Sequence, residues 1–155
     1  MANIRDGEVD KSNFTDISIS GVVKKALKQF SYQNQQDRDL VSYNLNKDFI
    51  FRGDENMMTF VIYNLLKNAL HYKVKIEIRT EVKSDGNYLY FKDYGPGIKS
   101  DKFELIFESF FTSGKKDGTG LGLPFCRRIM RAFEGEIICK SEVEKGAEFE
   151  IKFPN

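Results

Sequence analysis

Hydrophobic spacing divides the chain into helical and extended stretches. The clearest helical stretch follows Asp54. Met58, Val61, Ile62, Leu65, Leu66 and Ala69 recur at i, i+3, i+4, i+7, i+8 and i+11, one apolar stripe that must face a core, with Asp54 as its N-cap. An earlier helix is predicted from Val22, Val23, Ala26, Leu27 and Phe30, capped by Ser20. A third runs from Thr119 through Leu123, Phe125, Cys126, Ile129, Met130 and Phe133 and stops at Glu134-Gly135. Pro124 falls in its first turns, where a missing N–H is tolerated. Ser100 is expected to cap a short helix over 101–106.

Alternation by two predicts the strands. Phe14, Ile17 and Ile19 read as a short edge strand. Residues 39–45 and 49–52 read as two short strands around an Asn-Lys-Asp turn, after a polar loop at 33–39. Val74, Ile76, Ile78 and Val82 alternate, Ser84-Asp85-Gly86-Asn87 is turn chemistry, and 88–92 returns, which gives an antiparallel hairpin. A last hairpin joins 136–140 to the alternating Phe149, Ile151 and Phe153 through a Glu-Lys-Gly turn. About three long helices and six or seven strands, several in hairpins, make an α+β domain with helices on one face of a sheet. Residues 1–13 are polar and lack a period. They read as a linker, and 14–155 as one folded domain.

Composition narrows the function classes. A net charge of +1 with 30% charged residues argues against a nucleic-acid or anionic-membrane surface as the main partner. No apolar run approaches the roughly 20 residues that span a bilayer. Cys126 and Cys139 lack metal-site spacing and read as reduced thiols, so a cytoplasmic domain is expected.

Three stretches carry candidate chemistry. Asn64, Asn68 and His71, at i, i+4 and i+7, share a helix face about a third of a turn from the apolar stripe. Such a face is also compatible with simple solvation. Asp93-Tyr94-Gly95-Pro96-Gly97-Ile98 puts an acid at a strand end before a sharp glycine turn, although ordinary turns use the same residues. The stretch 107–123 holds Gly114, Gly118, Gly120, Gly122, Lys115 and Lys116 and leads into a helix. Glycine backbone and helix N–H groups suit a phosphate, and an ordinary surface loop is the other reading.

In this order and spacing, NLLKNALHY (64–72), DYGPGI (93–98), FESFF (107–111) and GTGLGL (118–123) resemble the N, G1, F and G2 boxes of sensor histidine kinases. That superfamily also includes type II topoisomerases, Hsp90 and MutL. The segment PFCRRIM (124–130) is similar to that of CqsS-like quorum-sensing kinases. The resemblance covers 14–154 and implies a Bergerat-type fold: a two-layer sandwich, with a mixed, mostly antiparallel sheet, three helices on one face and an ATP lid.

By the same resemblance the ligands are ATP and Mg²⁺. Asn64 and Asn68 are implied as the catalytic pair, with Asn68 holding the metal. Asp93 is implied as acceptor for the adenine amino group, with Gly95, Gly97, Ile98 and Tyr72 around the base. His71, Phe111, Lys115, Lys116, Thr119, Gly120, Leu121 and Gly122 complete the implied nucleotide contacts. His71 stands where many members carry Lys or Arg, and Ala147 where a Thr or Ser hydroxyl is usual. ATP-hydrolysing relatives carry a Glu where this chain has Asn64. An amide cannot act as a general base at neutral pH, which favours transfer to a protein over attack by water.

His71 is the single histidine. The resemblance therefore implies that a separate dimerisation domain supplies the acceptor histidine, with a response regulator downstream and this fragment a monomer. The parent kinase could be membrane-anchored. Two other readings stay open: a serine/threonine kinase of the anti-sigma-factor type, and a nucleotide-binding module without transfer.

Overall fold

The computed structural model describes the chain except residues 1–3, 6–7 and 109–121, with backbone alone at 4, 5 and 8. Strands β1 (Ile4–Arg5) and β2 (Glu8–Val9) pair antiparallel, in a stretch whose polarity predicts only a linker. Val9 packs partly buried against the core. Strand β3 (Thr15–Ser18) leads into helix α1 (Ile19–Gln29). The cap is Ser18, not Ser20: the Ser18 side chain accepts from the Gly21 N–H. Ser20 lies inside the helix, where its buried hydroxyl donates to the Leu45 carbonyl at 2.7 Å.

The polar stretch at 33–39 contains a short helix, α2 (Gln35–Asp39), rather than only a loop. Asn34 caps it by accepting from the Asp37 N–H at 2.8 Å. The buried Asp37 carboxylate accepts from Lys73 Nζ at 2.7 Å. Side-chain partners of this kind compensate for the missing apolar period.

Strands β4 (Val41–Asn44) and β5 (Ile50–Gly53) follow but do not pair with each other. β5 pairs with β3, and β4 runs parallel to β6 (Ile76–Lys83) at the edge of a five-stranded sheet. Helix α3 (Glu55–Leu70) is capped by Asp54, which accepts from the Met57 N–H. β7 (Gly86–Asp93) returns from β6 as the predicted hairpin. Two 3₁₀ turns, Ser100–Lys102 and Leu105–Phe107, replace the single helix expected at 101–106, and no side chain caps either. Helix α4 (Gly122–Ala132) and the hairpin β8 (Glu136–Glu142) and β9 (Gly146–Phe153) complete the chain.

The sheet order is β4-β6-β7-β9-β8, antiparallel except for β4 with β6. Register puts side chains into rows across the strands. Ile78, Phe91, Phe149 and Cys139 form one row, and Thr80, Leu89, Ile151 and Ile137 the next. On this face α1, α3 and α4 bury Val23, Ala26, Met58, Val61, Leu66, Cys126 and Met130. Among the described residues no helix covers the opposite face, where Tyr88 and Tyr90 are nonetheless buried. The Arg79 guanidinium lies 4.0 Å from the Tyr90 ring centroid, and Lys83 Nζ 4.9 Å from that of Tyr88. Long cationic side chains shield the rings while their charged ends stay wet.

Candidate nucleotide site

The end row of the covered sheet face differs from the rows behind it. Ile76, Asp93, Ala147 and Ser141 are aligned across β6, β7, β9 and β8. The hydrophobic rows form the core, and this last row carries a carboxylate and a hydroxyl at the end of the sheet. Asp93 is fixed locally, since its Oδ1 accepts from the Gly95 N–H at 3.0 Å. A Cβ placed on Gly95 would lie 3.0 Å from Asp93 Oδ1, 3.6 Å from Val74 Cγ2 and 3.7 Å from Tyr72 Cβ. Asp93, Gly95, Val74 and Tyr72 therefore share one small neighbourhood. Burial raises the Tyr72 hydroxyl above its ordinary range, and the Asp93 charge adds to the effect. The Cys139 thiol is pushed up to about 12, first by burial and then by the same charge.

The turn after Asp93 is held by β8. Gly97 has φ of +79°, a left-handed conformation, and a Cβ there would meet the Glu142 carbonyl oxygen. Only glycine fits both constraints. Ile98 N–H donates to Ser141 Oγ at 2.7 Å, and that hydroxyl donates to the Gly146 carbonyl at 2.8 Å. Ser141 thus links the glycine turn, β8 and the start of β9.

Sequence reasoning passed over Ser141, although a signal existed. Ile137, Cys139 and Ser141 occupy successive core-facing positions, and a serine continuing that alternation needs a partner when covered. Ala147 sits between Asp93 and Ser141 in the row, so a hydroxyl stands on the strand opposite the position where one is usual.

Helix α3 carries the amide candidates. Asn64 and Asn68 are half-buried on its polar side. Asn64 Nδ2 donates to the Phe60 carbonyl at 2.8 Å, which orients the amide oxygen Oδ1. That oxygen lies against Gly122, where a Cβ would collide with it. The close approach joins the polar side of α3 to the first residue of α4. The first N–H groups of a helix lack intrahelical partners and as a rule suit an anion. His71 caps the C-terminal end of α3, with its ring 5.0 Å from that of Tyr72 and nearly perpendicular to it.

Of the sequence-derived candidates, Tyr72, Asp93, Gly95, Gly97 and Ile98 gather around one end of the sheet. Asn64 meets Gly122, and Asn68 and His71 lie further along α3. Phe111, Lys115, Lys116, Thr119, Gly120 and Leu121 lie outside the described residues. Among the described residues, no group of three or more His, Cys, Asp or Glu side chains gathers around a point. No described helix is long and apolar enough to cross a membrane.

A carboxylate beside a glycine turn and an amide oxygen against the first residue of α4 are groups that a nucleotide can use. Residues 53–155 match the family described as histidine kinase-, DNA gyrase B-, and HSP90-like ATPase, and the chain belongs to that family. It is 37% identical over 157 residues to the CAI-1 autoinducer sensor kinase/phosphatase CqsS of Vibrio cholerae, covering 99% of this chain and 23% of that protein. It is 33% identical over 159 residues to the autoinducer 1 sensor kinase/phosphatase LuxN of Vibrio campbellii, covering 99% of this chain and 19% of that protein. The chain thus spans less than a quarter of the length of these curated relatives. Among solved structures, the catalytic domain of histidine kinase ThkA superposes with a TM-score of 0.76 at 27% identity, over 92% of this chain and 95% of that one. The expected α+β fold, with a mixed, mostly antiparallel sheet, is that of histidine kinase catalytic domains.

Proposed function

We infer that this chain is the ATP·Mg²⁺-binding catalytic domain of a sensor histidine kinase, and that it presents the γ-phosphoryl to a histidine on a separate dimerisation domain. The observation that carries this reading is the contact between Asn64 and Gly122. It sets an amide oxygen against the first residue of α4, and Asp93 is held separately beside the glycine turn.

Each residue has a role that its chemistry permits. Asp93 accepts from the exocyclic amine of adenine. Gly95 and Gly97 leave room for the ring beside Tyr72, with Ile98 as a wall. The first N–H groups of α4 face the phosphates. The donor set fits Mg²⁺, a hard cation that accepts amide oxygens and usually keeps few protein ligands. Asn68 would hold it with help from Asn64, and the ion would neutralise charge on the phosphates when bound. An asparagine at 64 leaves water without a general base, so the domain positions the nucleotide for a protein acceptor. His71, the single histidine, caps α3 inside the nucleotide site, so the acceptor comes from elsewhere.

The exposed Phe60, one turn before Asn64, meets Phe125 edge-on with ring centroids 6.4 Å apart. This apolar surface at the phosphate end supports docking of an acceptor helix. We assign 14–155 to the catalytic unit and 1–13 to a linker. The fragment is proposed to be a monomer on the cytoplasmic side, with a response regulator as the downstream partner.

Titration calorimetry with a non-hydrolysable ATP analogue, with and without Mg²⁺, tests the reading. Saturable binding strengthened by Mg²⁺ is expected in the wild type. Asn68→Ala should abolish that strengthening and spare metal-free binding. Absence of binding by the folded chain overturns the proposal. Phosphorylation of a partner serine instead of a supplied acceptor histidine would assign it to the serine/threonine branch.

A further inference from the structure

Arg127 on α4 is largely buried, with its side chain 14% exposed, and nothing in the nucleotide site accounts for it. Its two Nη atoms donate to the Glu104 carboxylate at 3.0 and 3.1 Å. Its guanidinium carbon lies 4.0 Å from the centroid of the Phe107 ring. Nε points towards Glu136 Oε1 at 3.6 Å, within ion-pair range but too long for a hydrogen bond. Three interactions thus converge on one planar cation, a geometry that Lys cannot reproduce.

The residues held by Arg127 belong to the stretch that leaves the nucleotide pocket. Ile98, at the pocket wall, is tied to Ser141. From there to Phe107 the chain has two three-residue 3₁₀ turns and no strand or α-helix. Lys99, Ser100 and Glu104 are exposed, while Ile106 and Phe107 are buried. Phe107 returns to the sheet, edge-on to Phe149 with ring centroids 6.4 Å apart. Phe149 lies one row behind Ala147. A segment with so few backbone bonds of its own depends on outside fixation. Arg127 provides it by clamping Glu104 and Phe107 to α4, which Cys126, Ile129 and Met130 anchor in the core.

We propose that Arg127 is a positioning residue for nucleotide binding, acting through Glu104 and Phe107 on the Ile98 wall of the base pocket rather than by touching phosphate. The inference rests on the nucleotide-site reading above. Glu104 takes one N–H from each Nη and the Phe107 ring lies against the guanidinium, so the cation is oriented towards the 98–107 stretch. The brace acts at the base and should affect adenosine and ATP alike. A phosphate contact would affect ATP alone.

The test compares Arg127→Met, Arg127→Lys, Glu104→Ala and the Met/Ala double variant. Calorimetry measures affinity for adenosine and for a non-hydrolysable ATP analogue, and a thermal melt checks folding. Glu104 is 78% exposed, so its truncation leaves a folded control even if the Arg127 variant is unstable. Arg127→Met should weaken both ligands by a similar factor, roughly three- to tenfold, the scale of a cation–π contact plus a forked ion pair. Glu104→Ala should weaken both in the same sense, Arg127→Lys should fall between wild type and Met, and the double variant should be no worse than Arg127→Met. Unchanged or tighter ATP binding in Glu104→Ala, with loss of ATP alone in Arg127→Met, would overturn the proposal in favour of a phosphate contact. A lower melting temperature with unchanged affinities would also overturn it. A folded wild-type chain that binds neither ligand removes the nucleotide-site reading itself, and this inference with it.

Discussion

Gly122→Ala separates the stability of this fold from its function. The added methyl would collide with the Asn64 amide oxygen at the first residue of α4. The obstacle is the end of a side chain, so the backbone has no need to move. Asn64 turns away and gives up its 2.8 Å bond to the Phe60 carbonyl. That loss costs about 1 kcal/mol. Replacing glycine by alanine in a helix returns up to about 1 kcal/mol, less at the first residue. The two nearly cancel, so unfolding free energy should change by less than about 1 kcal/mol. Nucleotide binding has no such compensation. With Asn64 displaced and a methyl at the helix start, affinity for the ATP analogue with Mg²⁺ should fall roughly tenfold to a hundredfold, the scale of one or two lost charge-assisted hydrogen bonds. Chemical denaturation measures the first quantity and calorimetry the second. In an Asn64→Ala background the amide is gone, and Gly122→Ala should then cost much less affinity. Undiminished binding in the single variant, or equal losses in both backgrounds, would refute the assignment of this contact to the phosphate end of the site.

Other perturbations address the opposite end. Asp93→Asn should weaken nucleotide binding by about 1–3 kcal/mol, the scale of a hydrogen bond to a charged group, and unchanged affinity would remove Asp93 from the adenine role. Ser141→Ala leaves the Ile98 N–H and the Gly146 carbonyl without their hydroxyl partner. It should lower stability by about 1–3 kcal/mol and weaken adenosine at least as much as ATP, read by denaturation and calorimetry. Both buried thiols have values pushed up to about 12 by burial, with Asp93 adding to the effect at Cys139. They should resist a thiol reagent at pH 8 until the chain unfolds. Raised folded-state values mean that the unfolded chain loses these protons first. This contribution to stability is therefore complete below about pH 9 and fades as pH rises towards 12, which replacing both cysteines by alanine should abolish.

The elements legible in advance were those whose information is local. Helix α3 follows from one long 3.6-residue stripe and the side-chain cap of Asp54. The β6–β7 and β8–β9 hairpins follow from alternation around short polar turns. Helix α2 was hidden because it has no apolar stripe and is held by Asn34 and by Lys73, a residue distant in sequence. Ser18 and Ser20 are equivalent as candidate caps. What decides between them is Asp48, far along the chain: it accepts from the Ser18 hydroxyl at 2.8 Å and from the Ser20 N–H at 3.0 Å.

The site divides in the same way. By itself the sequence determined which residue types were available: two amides one turn apart on α3, an acid before a glycine turn, and a glycine-rich approach to a helix. These depend on residue identity and spacing over a few positions. Tertiary structure alone decided that Asp93 and Ser141 lie in one row across three strands, and that Asn64 closes on Gly122. It also decided that Arg127 reaches back to Glu104 and Phe107. These pairings join residues tens of positions apart. Strand register and helix packing set them, and each is fixed only when the whole hydrophobic core closes.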